Sequence, residues 1–394
     1  MRRLRTISNR RLYGLVAAVV LVAAMAGIAQ AALRGASPPP AKPLDRAVLG
    51  ALRAPAVAGV SARVTFTNGL LPAGSLPGDS GASPLAAGGD GRVWVAADGR
   101  FRIELQADRG DAQIVDDGHR VTIYDPSSKT AYTLPSQATQ KPERSHEARR
   151  PTLAGVDRAL ARLARTWTVS GARPTTTGGR PTYTVRIAPK DDGGLLGAAE
   201  LAWDAAKGVP LRAAVYAQGN DKPVLELAAR DVHFGAIPSS TLTASLPKGT
   251  DVVEIDPGSG SGDSAPGRST HVRGAAAVAK QLDFALSAPK SLADLPRTDV
   301  RLVRMREGAG ALSTYGSGMG AIAVFQHKAS SSSSSSGGDK NALKLPQINI
   351  DGATGTELAT PLGTVLSFTR GGVAYVVAGS VPPVAAENAA RGLR

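Results

Sequence analysis

The run from Gly91 to Leu134 limits the folds open to this chain more than any other: GRVWVAADGRFRIELQ, and then AQIVDDGHRVTIYDPSSKTAYTL. Apolar and polar residues alternate over short stretches, with Asp98-Gly99 and Asp117-Gly118 between them and a Tyr124-Asp125-Pro126 corner near the end. A period of two marks strands that bury one face, and short strands joined by Asp/Gly turns build a curved antiparallel sheet.

The same period extends to both sides. VSARVTFTN, RVWVAAD, RFRIELQ, HRVTIYD and KTAYTLP read as strands, followed further on by PTYTVRIAP, GAAELAWD, PLRAAVYAQ and PVLELAARDVHFG. Two stretches change to a helical period. Leu44, Val48, Leu49 and Leu52 form the apolar stripe of a short helix, and Val156, Leu160 and Leu163 that of a second over Thr152 to Thr166, with Arg158, Arg162 and Arg165 opposite. Gly, Pro and Ser fill Leu70 to Asp90, a loop long enough to be either disordered or functional.

Composition divides the rest. Residues 34–43 hold a Pro-rich spacer, and 44–255 carry helix, strands, helix and strands in one domain. DPGSGSGDSAPGRST makes 256–270 a linker, and 271–394 a smaller domain with VRLVRM, GAIAVFQH, GTVLSFTR and GVAYVVAG as strands and PVAAENAARGL as a helix. Seven serines, Ser330 to Ser336, predict disorder over 329–340.

Residues 1–33 read as an export segment. Arg2, Arg3, Arg5, Arg10 and Arg11 precede an uncharged run from Leu12 to Leu33, so the remainder is expected outside the cytoplasm. Ala29-Gln30-Ala31 offers a cleavage site, yet the run is long enough to span a bilayer as a single-pass anchor, and both outcomes stand. There are no cysteines, which excludes disulfides, thiolate metal sites, cysteine nucleophiles and a lipidated thiol. The 46 Lys and Arg outnumber 32 Asp and Glu. That excess suits an anionic membrane surface or wall polymer, and equally the arginine usage of a high-GC genome. Scattered arginines and 4% aromatics point away from nucleic acid.

The search for catalytic chemistry ends in turns. His119, His146, His233, His271 and His327 show no metal-binding spacing. Asp116-Asp117 and Asp191-Asp192 adjoin glycines, which is turn chemistry. No Gly-rich phosphate loop and no nucleophile elbow is present, so neither enzyme activity, cofactor nor metal is expected. The apolar inventory is more telling. Val60, Ala62, Val64 and Phe66 share one strand face, then Val93 and Val95, then Phe101, Ile103 and Leu105, then Val121 and Ile123, and beyond the second helix Tyr183, Val185 and Ile187. Such a face must be covered, either by the two helices as an ordinary core or incompletely, leaving a tunnel.

The phrases G-R-V-W-V, G-R-F-R-I-E, I-V-D-D-G and I-Y-D-P, read at 91–95, 99–104, 114–118 and 123–126, resemble the LolA-type lipoprotein carriers and their relatives. With the C-terminal domain added, the chain is similar to the RseB/MucB-type branch. The resemblance implies an α+β, mainly antiparallel fold: a half-open β-barrel with covering helices, plus a small α+β domain. It implies non-catalytic binding of a lipid or lipoprotein acyl chain on a concave face lined by Val64, Phe66, Val93, Val95, Phe101, Ile103, Leu105, Val121, Ile123, Val185 and Ile187. Its alternative is a membrane-tethered envelope-stress regulator that binds an anti-sigma factor. Arg102, placed by alternation opposite Phe101 and Ile103, matches the F-R of the phrase and is read as making a salt bridge or lying on the surface, ahead of a lid-latching role. A tethered chain cannot shuttle, and the long loop and second domain exceed a minimal carrier, so a membrane-held binder or sensor is favoured over a soluble ferry.

Overall fold

A computed structural model of the protein describes residues 37–71, 83–106, 111–126, 128–136, 151–190, 194–255, 272–305, 308–329 and 345–393. The export segment, the linker 256–270, the serine run and Asp191-Asp192 lie outside them. The described residues form two units, the first ending at Ile255.

The first unit opens with α1, Leu44–Leu52. Leu44, Ala47, Val48 and Ala51 face inward and pack with Tyr183 and Trp203. Leu52, assigned to the same stripe by its spacing, stands 57% exposed. At 100° per residue it lies about a quarter-turn from the centre of the buried stripe. Six strands follow: β1 Gly59–Asn68, β2 Gly88–Ala96, β3 Phe101–Leu105, β4 Ala112–Asp116, β5 Arg120–Asp125 and β6 Thr130–Pro135. The stretch Leu70 to Asp90 is not all loop, because it ends in α2, Pro84–Ala87, and the first residues of β2. Ser83 starts α2 by accepting a hydrogen bond from the Leu85 N–H, with proline at the first helical position.

Helix α3, Leu153–Leu163, begins where the Thr152 hydroxyl accepts from the Gly155 N–H at 3.2 Å. Then come β7 Trp167–Val169, β8 Arg173–Thr177, β9 Arg180–Pro189, β10 Leu196–Asp204, β11 Pro210–Ala217 and β12 Pro223–Phe234. The last part is a 3-10 turn at Ser239–Leu242 and a strand β13, Asp251–Glu254, that runs parallel to β6. Two successive prolines, Pro238 and Pro247, frame a crossing segment too long for a tight hairpin turn.

All thirteen strands belong to one open sheet, ordered β13-β6-β5-β4-β3-β2-β1-β12-β11-β10-β9-β7, with β8 also on β9. The chain lays down β1 to β6 as a meander, and β12 later returns to pair antiparallel with the other side of β1. The result is a curled half-barrel, mainly antiparallel, with few helices.

The second unit is a smaller α+β fold. Strands β14 Ser291–Leu292, β15 Leu295–Met305, β16 Gly308–Tyr315, β17 Ile322–Lys328, β18 Gln347–Ile350, β19 Ala353–Thr360, β20 Gly363–Arg370 and β21 Val373–Gly379 form a sheet in the order β14-β15-β16-β17-β21-β20-β19-β18. Helix α4, Ala275–Ala279, and helix α5, Pro383–Gly392, accompany it. Val324, Leu366 and Val377 stand side by side across three strands and share a core with Ala386, Ala389 and Ala390 of α5. Gln326, fully buried, exchanges two hydrogen bonds with the Ser287 backbone at 2.7 and 2.9 Å, tying the segment before β14 to the sheet.

Each unit has a core of its own, so cutting the chain within 256–270 is predicted to release two folded pieces that each melt cooperatively in calorimetry. Loss of every transition on cutting would contradict this.

Candidate functional site

Strand register shows which side chains share a face. Val95 lies opposite Phe101, Val93 opposite Ile103, Ile103 opposite Ile114, and Ile114 opposite Ile123. Val64 and Leu105 both stand opposite Gly91, and Val121 opposite Asp116, which is itself opposite Phe101. On the other side of β1, Phe66 meets Leu227, which meets Ala213. Val185 lies opposite Leu201 and Ile187 opposite Ala199. Glu200 reaches Arg212 on the reverse face, so Ala199, Leu201 and Ala213 share the apolar one. All eleven residues singled out from the alternation therefore lie on one face of one sheet.

That face is covered. Ile103 and Leu105 are only 1% exposed, and Val64, Phe66, Val93, Val95, Phe101 and Ile123 are buried with them. Toward the ends it loosens: Val121, Val185 and Ile187 are half-buried, and Leu201 is 37% exposed. Helix α1 lies over the β9–β10 end through Tyr183 and Trp203, and α2 lies against β1 and β2. In this form the middle of the face is filled. An acyl chain could use it only by displacing side chains or the elements over it.

The Pro-rich spacer is part of this corner. The Tyr183 hydroxyl donates to the Pro40 carbonyl at 2.6 Å, and the Lys42 ammonium sits 5.9 Å from the centre of the same ring. The approach to α1 is thereby pinned to the sheet.

Arg102 points from the reverse face of β3, as alternation requires. Its guanidinium donates to Glu104 at 2.7 Å and to Gln113 at 3.1 Å, and also to the backbone carbonyls of Thr243 at 2.8 Å and Thr241 at 3.4 Å. Between those two carbonyls Leu242 is buried. The salt bridge expected of Arg102 is present along its own strand, and the same guanidinium holds the 3-10 turn on the reverse face of the sheet, not an element over the apolar face.

A second polar cluster on the reverse face was not foreseen. Glu200 accepts from Arg212 at 2.8 Å, from the Tyr216 hydroxyl at 2.9 Å, from Arg173 at 3.0 Å and from Arg186 at 3.2 Å. Arg212 also pairs with Glu226, and Arg186 lies 4.4 Å over the Tyr216 ring. Burial works against the ionised Glu200 carboxylate, but the hydrogen bonds from Arg212, Tyr216 and Arg186 outweigh it and lower its pKa to about 2. Burial raises the Tyr216 hydroxyl above its ordinary value. The only sequence signal was a charged residue inside an otherwise apolar strand, GAAELAWD; its partners come from neighbouring strands that register alone brings together.

The paired aspartates serve turns. Asp116 accepts from the Gly118 N–H and the Ser136 hydroxyl, each at 2.8 Å. Asp117 accepts from the His119 and Arg120 N–H groups, each at 2.8 Å. Burial opposes the ionised Asp117, yet those two backbone bonds hold its pKa below the ordinary value. Among the described residues no three His, Cys, Asp or Glu side chains gather to hold a metal. Nor is any helix among them long and apolar enough to cross a membrane, while the 12–33 run lies outside them.

No protein-family profile matches the chain, and no curated protein matches it in sequence. Among solved structures it is similar to the Pseudomonas aeruginosa MucA/MucB complex, at 15% identity over 89% of this chain and 96% of that one, with a TM-score of 0.42. MucB in complex with MucA(peri) is similar at 14% identity over 89% and 97% of the two chains, with a TM-score of 0.41. A putative outer membrane lipoprotein-sorting protein domain from Vibrio parahaemolyticus shares 12% identity over 49% and 92%, with a TM-score of 0.17. These are the two groups that the strand phrases resemble. The values are too low to carry any residue's role across.

Two outcomes follow from the reverse face. Replacing Arg102 with Met removes the charge-assisted bonds to Glu104 and to the Thr243 carbonyl, and is predicted to lower stability in urea titrations by about 2 kcal/mol. Glu200 has a depressed pKa, so its contribution is complete above its ordinary value of 4.5 and is lost as the pH falls toward about 2. Glu200→Gln should flatten that acid limb of the stability profile. An unchanged limb would assign it to other carboxylates.

Proposed function

We propose that the first unit is a non-catalytic, extracytoplasmic acceptor of a lipid or lipoprotein acyl chain, bound on the apolar face of its half-barrel. The observation that carries this reading is the continuity of the face: apolar side chains run from Ile123 on β5 through Ile103, Val93, Val64 and Leu227 to Val185 on β9 without a charged residue among these positions. Its ends are less covered than its middle, which suits entry at an end followed by displacement of the elements over it. The charges nearby support a binding module more than an enzyme, since Asp116, Asp117 and Glu200 are all engaged by turn backbone or arginines.

The test is binding of a fluorescent fatty-acid probe to the purified chain. Ile103→Trp and Val95→Trp add bulk to the middle of the face and are predicted to weaken probe binding at least tenfold. Overpacking costs about 1–3 kcal/mol, so thermal melts must show both variants folded. Unchanged affinity in folded variants would remove the acyl chain from this face.

A second reading is favoured by the second unit, which has an eight-stranded sheet and a core of its own beyond the half-barrel. It makes the protein a membrane-held regulator of the RseB/MucB type, with the C-terminal unit contacting an anti-sigma factor or comparable single-pass partner. MucB is itself solved with MucA. Capture of one membrane partner that is lost on deleting 272–394 supports this reading, and capture independent of that unit opposes it.

A further inference from the structure

In the second unit, one row of the core ends in a carboxyl group. Val324, Val377 and Leu366, each fully buried, are paired across β17, β21 and β20, and the partner of Leu366 on β19 is Glu357. Directly opposed residues project to the same face, so Glu357 takes the fourth position of an apolar row. It is only 8% exposed. Its Oε2 is buried and meets no hydrogen-bond donor, and among the described residues the side chain forms no ion pair.

The groups around it are acceptors or already engaged. On β20 the row presents Leu366, and Thr364, two residues back on the same face, donates its hydroxyl to the Val381 carbonyl at 2.8 Å. The chain entering β18 supplies an acceptor, the Pro346 carbonyl, which takes the Glu357 N–H at 3.0 Å. Helix α5, lying on β20 and β21, brings a second carboxylate, Glu387, which Arg391 holds at 2.6 Å. The one cation on that helix is therefore spent on Glu387 and not on Glu357.

A carboxyl in such a place is costly to ionise. Burial first, and the like charge of Glu387 second, raise the Glu357 pKa above its ordinary value of 4.5. The neutral acid loses far less on leaving water than the carboxylate does, so the row tolerates it. Ionisation demands water at Oε2, and water reaches that atom only when an element beside the row moves. Helix α5 is placed to move: it has no side-chain cap at its start, and it holds the core through Ala386, Ala389, Ala390 and Leu393, three of which bury little area.

We propose that Glu357 is a proton switch for the docking of α5 on the second sheet. As the neutral acid it completes the core row, and α5 is closed over it. As the carboxylate it draws in water, and α5 loosens. A carboxyl that titrates higher in the folded unit than in the unfolded chain contributes fully below 4.5, and its contribution is lost as the pH rises through the folded midpoint. Loosening uncovers the alanine face of α5, so the pH around the protein sets how much of this core is exposed. The switch does not depend on what the first unit binds.

Hydrogen exchange of the full chain from about pH 4 to about pH 8, read as protection factors over Pro383–Gly392, tests it. Protection in α5 is expected to fall as the pH rises through the Glu357 midpoint, and the carboxyl-carbon titration of glutamate-labelled protein should place that midpoint above 4.5. Glu357→Gln, uncharged and of the same shape, should protect α5 severalfold better than the unaltered chain at about pH 7 and remove the pH dependence. Glu387→Gln should move the midpoint down toward 4.5, a shift that a purely structural role for either residue would not produce. A Glu357 carboxyl titrating at 4.5 or below, or a pH dependence of α5 that survives Glu357→Gln, overturns the proposal. Failure of Glu357→Gln to fold also overturns it, because the amide stands in for the neutral acid that the closed row is proposed to hold.

Discussion

Everything in the first unit depends on covering one side of a single sheet. Thirteen strands give two faces, and the face running through Ile103, Val93, Val64 and Leu227 is apolar at these positions, with the buried Asp116 carboxylate near its β4 end tied to Gly118 and Ser136. At roughly 25 cal/mol per Å² of buried apolar surface, leaving it bare would forfeit much of the stability of the unit. The curl of the sheet, α1 over Tyr183 and Trp203, and α2 against β1 and β2 all serve that burial. A face that must be covered, and whose cover consists of short separate helices, is also one that an acyl chain can share.

The reverse face solves a different problem. Arg102 and Arg212 are held by carboxylates, an amide, a phenol and backbone carbonyls, so long side chains are fixed with their donors engaged. The two clusters have distinct consequences. Around Arg102 the bonds attach the 3-10 turn and bury Leu242, whereas around Glu200 they bind four neighbouring strands to one another across β8 to β11.

Period two made most of the first sheet legible, since β1 to β6 and β9 to β12 each alternate or carry turn residues at their ends. The missed elements lacked that signal. β7 has three residues, and β8 reads Arg-Pro-Thr-Thr-Thr with no apolar alternation. In the second unit β16 and β19, GAGALSTY and ATGTELAT, hide their buried side behind glycine, serine and threonine. β13 could not be read as a parallel partner of β6, because it lies more than a hundred residues along the chain and local pattern says nothing about pairing. For the candidate site, alternation was enough to group the eleven apolar residues, since strand parity decides the face. How far that face is covered depends on where the helices land, and the Glu200 cluster depends on register between strands, so neither could be read from spacing. Leu52 shows the reverse error: its spacing suggests the buried stripe, and a quarter-turn of helix puts it in water.

The central claim is that the apolar face admits an acyl chain, and hydrogen exchange on the protein before and after loading with a long-chain lipid tests it most directly. Occupation of the face predicts stoichiometric lipid in the extract of the loaded protein, slowed exchange in β2 to β5 and faster exchange in α1 or α2 as the cover is displaced. Lipid retained at stoichiometry with no change in those elements, or no lipid retained at all, would contradict the claim.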